Sequence, residues 1–110
     1  MACEVIFSKL AMEQAEKYVD YLVNEKKNLQ AARNLLQDFE DTTEALSLVA
    51  DSLGYCKDPD LKAMGYKIMH FRRHRYLWIY QVNGDRAEVK AMYHQLQDYE
   101  NTFKTEESFL

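Results

Sequence analysis

The stretch from Tyr66 to His94 constrains this chain most. In YKIMHF, RYLWIYQV and RAEVKAMYH, large apolar side chains recur at a period of two, the spacing of strands with two unlike faces. NGD joins the second and third runs, and an Asn-Gly pair between alternating runs favours a tight hairpin. A three-strand antiparallel meander is therefore predicted, and the rest of the chain must supply a layer that covers it.

Upstream, CEVIFS alternates Val5 and Phe7 against Glu4, Ile6 and Ser8, which predicts one further short strand. The period then lengthens. Ala11, Ala15, Tyr18 and Leu22 predict a helix over residues 9 to 26, closed by Lys26 and Lys27. Asn28 reads as the N-cap of a second helix over 28 to 53, in which Leu29, Ala32, Leu36, Phe39, Leu46, Val49 and Leu53 keep the helical period up to Gly54. YCKDPDLKAMG, with the one proline, reads as a surface loop. The predicted fold is α+β: strand-helix-helix, then the meander, with two helices on one face of a four-stranded, mainly antiparallel sheet and the other face open. A length of 110 residues, 47% of them apolar, suits one core, so residues 1–104 are assigned to a single domain and 105–110 to a flexible acidic tail. Tyr99 and Phe103, four residues apart, suggest a short helix folding back on the domain.

Alternation also divides the strand side chains. Tyr76, Trp78, Tyr80 and Val82 are placed on the core side with Val89, Ala91 and Tyr93. Arg75, Leu77, Ile79, Met92 and His94 are placed on the open side, where exposed Leu77, Ile79 and Met92 would receive an apolar partner. Cys3 and Cys56 read as reduced thiols, and neither a metal nor a cofactor is expected. MACEVIFSKL has no basic-then-apolar leader, and no long apolar run occurs, so a soluble cytoplasmic protein with no membrane partner is expected.

Charge is unevenly spread. Residues 1–63 carry twelve acids against seven bases, 64–94 six bases against two acids, and 95–110 four acids against one base. HFRRHR concentrates the positive charge just ahead of a strand, where it would steer an anionic partner to one face. Such a cluster is also what a solvated turn looks like.

The order of elements, with GYKI, RYLWIYQVNGD and AMYHQLQDYEN, resembles the RelE/ParE superfamily of bacterial toxins from type II toxin-antitoxin modules. The likeness rests on the strand-helix-helix-meander frame, the Tyr-x-x-x-Tyr strand (Tyr76, Tyr80), the Asn-Gly hairpin and a His ending the last strand, and it spans almost the whole chain. It implies a small toxin neutralised by a cognate antitoxin. Two biochemistries are then open, and the first, cleavage of ribosome-bound mRNA, is the expectation here, with the second as its alternative. RelE-like members cut mRNA in the ribosome as metal-independent endoribonucleases, whereas ParE-like members bind and poison DNA gyrase without catalysis of their own.

For the nuclease, the resemblance implies roles for five residues. Lys67 matches a lysine of the YKI strand, Arg73 and Arg75 would bind the scissile phosphate, His94 would transfer protons and Tyr99 would stack on a base. Leu77 and Met69 stand where nuclease members carry basic residues, and the pI of about 5.3 is acidic for a ribosome-bound enzyme. A relative that has kept only interaction surfaces is a third alternative.

Overall fold

The computed structural model describes residues 2–106. Four strands form one sheet in the order β1-β4-β3-β2: β1 (Glu4–Phe7), β2 (Lys67–His70), β3 (Tyr76–Asn83) and β4 (Arg86–His94). β1 runs parallel to β4 and the other pairs are antiparallel, so the α+β frame and the meander are as the sequence predicts. The β3–β4 hairpin closes through Gly84 and Asp85, with Asn83 paired to Arg86 and Gly84 at a φ of +64°, a value natural for glycine.

Helix α1 (Lys9–Asp20) continues as a π turn to Glu25, and α2 runs from Leu29 to Val49. Ser8 caps α1, accepting the Ala11 N–H at 3.0 Å, and Asn28 caps α2, accepting the Ala31 N–H at 2.9 Å. α2 was expected to reach residue 53, but it gives way to a 3-10 turn at Ala50–Ser52. There the chain turns carbonyls to the sheet: Ala50 O accepts the Tyr80 hydroxyl at 2.7 Å, and Leu53 O accepts Lys67 Nζ at 2.6 Å.

The helix hairpin covers one sheet face. Trp78 is fully buried there, its ring 5.0 to 5.2 Å from those of Phe7, Phe39 and Phe71, with Tyr80, Val89 and Met92 in the same cluster.

The second face, expected to be open, is closed. The loop read from YCKDPDLKAMG contains α3 (Pro59–Ala63), and α4 (Tyr99–Glu106) folds back as Tyr99 and Phe103 suggest. Phe103, Leu61 and Cys56 pack on Leu77, Ile79, Ala91 and Tyr93, forming a second core. Polar contacts hold α4 in place. Glu100 accepts the Asp58 N–H at 2.6 Å, Lys104 pairs with Asp58 and Asp60, and the Tyr93 hydroxyl donates to Glu106 at 2.7 Å. Thr105 and Glu106, assigned to the tail, belong to this helix, and 107–110 lie outside the described residues.

A β-bulge inverts part of the predicted face assignment. Ile79 pairs with Ala91 but Tyr80 with Val89, leaving Lys90 as the extra residue. Beyond it the parity of β4 flips: Met92 and His94 face the helix hairpin, and Ala91 and Tyr93 face α4. Ser8 fastens the bulge, its hydroxyl donating to Lys90 O at 2.7 Å. Leu77, Ile79 and Met92, expected to be exposed, are all buried.

Candidate functional site

The segment between β2 and β3 is the most distinctive polar construction in the molecule. Asp38 is fully buried in the middle of α2, and its carboxylate receives the backbone N–H groups of Arg72, Arg73 and His74 at 3.2, 2.9 and 2.9 Å. His74 Nδ1 adds a contact of 2.7 Å and the Thr42 hydroxyl one of 3.3 Å. Consecutive N–H groups converging on one anion form a nest, so the carboxylate dictates the path of the turn. Burial pushes the Asp38 pKa up, but the His74 ring and the N–H groups of Arg73 and His74 outweigh it and hold the carboxyl below its ordinary value.

With its backbone and the His74 ring bound inward, the turn projects its arginines outward. Arg72, Arg73 and Arg75 are exposed. Arg73 Nη1 meets Asp41 at 2.6 Å, while among the described residues neither Arg72 nor Arg75 forms a salt bridge. A second turn joins this one through the Gln95 N–H, which donates to Arg75 O at 2.8 Å, and it carries Leu96, 76% exposed.

The other expected site residues lie elsewhere. Lys67 is buried at the far end of β2, where Nζ donates to Leu53 O and Asp51 O and lies 4.0 Å from the centre of the Tyr55 ring. It pairs with Tyr80, whereas His94 pairs with Tyr76. Four residues of strand, about 13 Å, and two strand spacings of about 4.8 Å therefore separate Lys67 from His94. His94 was placed beside Arg75 on an open face, but the bulge sends it against the Tyr76 ring at 5.3 Å, half-buried on the helix side. Its Nδ1 accepts the Leu96 N–H at 3.1 Å, so the neutral ring carries its proton on Nε2. Tyr99 begins α4 on the opposite face, half-buried in the second core. Burial, then the charge of Glu100, raises its hydroxyl pKa.

Arg73, Arg75 and His94 thus share one end of the sheet, and Lys67 and Tyr99 stand apart from them. Sequence reasoning missed Asp38, although a signal was present. Leu35, Asp38, Thr42 and Leu46 recur at helical spacing on the buried stripe of α2, and a carboxylate in an apolar stripe needs donors brought to it.

An apolar groove also opens between the helices, lined by Met12, Ala15, Val19, Leu36 and Phe39, with Glu16 and Asp20 on its walls. Among the described residues no group of three or more His, Cys, Asp or Glu is arranged to hold a metal, and no helix is long and apolar enough to cross a membrane.

Two helices packed on one face of a four-stranded sheet, with a basic turn at one end, define the α+β class of this domain. Residues 5–99 match the family described as the ParE toxin of type II toxin-antitoxin system, parDE, and the chain belongs to that family. Among solved structures, the chromosomal ParDE TA system from P. aeruginosa superposes with a TM-score of 0.63 at 17% identity, covering 84% of this chain and 96% of that one, which is a likeness of fold. No curated protein matches the sequence. Membership of this family implies a cognate antitoxin as partner.

Proposed function

We propose that this toxin acts by binding, that DNA gyrase is its target, and that its antitoxin releases the target by occupying the toxin. The observation that carries this reading is the condition of the two proton carriers that a ribonuclease would need. Lys67 Nζ is turned into the fold and occupied by backbone carbonyls. His94 offers no free basic nitrogen, because Nδ1 is taken by the Leu96 N–H and Nε2 carries the proton. A general base must reach the proton it removes with a vacant lone pair, and neither group meets that condition.

One observation favours mRNA cleavage instead: Arg73, Arg75 and His94 lie at the same end of the sheet. Purified wild-type protein titrated into a gyrase supercoiling reaction separates the two readings. A binding toxin inhibits supercoiling in proportion to its concentration, and unimpaired supercoiling at saturating protein overturns the gyrase reading. Should reporter mRNA on ribosomes also stay intact, a plain interaction domain is left.

The antitoxin is assigned to the groove between α1 and α2. Met12 and Leu36 are 41% and 49% exposed, and Glu16 and Asp20 line the same groove, so an apolar segment carrying basic residues complements it. Co-purification with the small protein encoded next to it should fail for Met12→Asp plus Leu36→Asp, and retention of the complex would exclude this groove.

A further inference from the structure

The end of the sheet formed by the 72–75 and 95–97 turns has the properties of a gripping surface. Its backbone is held rigid by the buried Asp38 carboxylate, which meets the backbone of all three residues from Arg72 to His74. A connection between two antiparallel strands does not need a buried charge, whose desolvation opposes folding. What the carboxylate adds is a fixed backbone path, and so a fixed direction in which the side chains leave it, and a loop ordered before binding loses less entropy on binding. The side chains of Arg72 and Arg75 project without a salt-bridge partner among the described residues. Beside Arg75, the Gln95 N–H ties in the turn that carries Leu96, the most exposed of the large apolar side chains described.

We propose that this surface is where the toxin grips its target, and that what it grips is an acidic stretch of protein bearing an apolar side chain. The identification of the target as a protein rests on the gyrase reading above; the surface and the acidity of the segment go beyond it. Cations set beside an apolar projection match the anatomy of a protein interface, where a desolvated anchor is ringed by charge. The same charges suit a polynucleotide poorly. A polynucleotide carries its charge on past the turn towards Asp41 and Glu44, which line one recess with Arg72 and Arg73, whereas a short acidic segment need reach only the arginines.

The test uses the full-length chain, purified gyrase and two variants, Arg72→Gln with Arg75→Gln, and Leu96→Ser. All three side chains are exposed, so thermal midpoints should match the wild type, and the arginine variant decides the matter if Leu96→Ser does not. Gyrase binding should weaken about tenfold in the arginine variant, and its loss with added salt should be shallower than in the wild type. Leu96→Ser should weaken binding with the salt dependence kept. Wild-type affinity in both variants overturns the surface while leaving the gyrase reading standing. Binding of short labelled duplex DNA or RNA as tightly as gyrase, and its loss in the arginine variant, makes the partner a polynucleotide and overturns the proposal. A wild-type chain that neither binds nor inhibits gyrase overturns both.

Discussion

Two cationic features lie at opposite ends of β2, and they are built in opposite senses. At the start of the strand, Lys67 points into the fold and satisfies carbonyls in and just after the 3-10 turn that follows α2, with the Tyr55 ring lying against it. Beyond the strand's other end, Arg72, Arg73 and Arg75 are exposed, and it is the backbone of residues 72–74 that is satisfied, by the Asp38 carboxylate. One cation is used as a structural donor, and in the other case a structural anion is used to display cations. Basic residues in a sequence therefore do not reveal which way their charge faces. That depends on whether the neighbouring segment offers carbonyls, as the turn after α2 does, or a carboxylate, as the middle of α2 does.

The largest effect should come from the anion. Asp38→Ala strands three backbone N–H groups and the His74 ring without their acceptor, and a loss of about 3–5 kcal/mol is expected in chemical denaturation. A variant as stable as the wild type would show that the turn does not depend on it.

Lys67→Met should cost less, about 1–2 kcal/mol, because it leaves two carbonyls short of one donor each. Gyrase inhibition by the surviving folded protein should be unchanged. A loss of potency without a loss of stability would move Lys67 from the fold to the function.

Acid sharpens the comparison further. Asp38 is held below its ordinary pKa, so its contribution is complete above the unfolded value of about 4 and is lost as pH falls through the lower folded value. Asp38→Asn, a neutral side chain of the same shape, should show a flatter decline in stability over that acid range than the wild type. Parallel declines would assign the acid sensitivity to other carboxylates.

The smallest effect on stability belongs to the displayed cations. Arg72→Gln with Arg75→Gln should stay within about 0.5 kcal/mol of the wild type, since both residues are exposed. A larger loss would show that these guanidinium groups hold the fold together.

Much of the frame was legible because it follows from short-range rules. Periodicity located the strands and helices, Asn28 announced its cap, and Tyr99 with Phe103 announced the returning helix. The site was less legible because two of its determinants act between distant parts of the chain. Alternation through Val89, Ala91 and Tyr93 looks uninterrupted, yet the extra residue at Lys90 sends His94 to the other face. That insertion becomes visible only against the partner strand and the Ser8 hydroxyl that binds its carbonyl. The second face was read as open because α4 covers it through tertiary contacts: Glu100 on the Asp58 N–H and Phe103 in the core. Asp38 lies 34 residues from the Arg72 N–H it accepts, a separation that no local pattern reports.

Whether the chain binds or cuts is tested most directly by mapping mRNA 5′ ends in cells induced for the wild type and for His94→Ala. A toxin that acts by binding should leave the 5′-end profile of induced cells free of new ribosome-dependent cleavage sites, with both forms alike. New cuts in translated messages that disappear in His94→Ala would contradict the account and make the chain a ribonuclease.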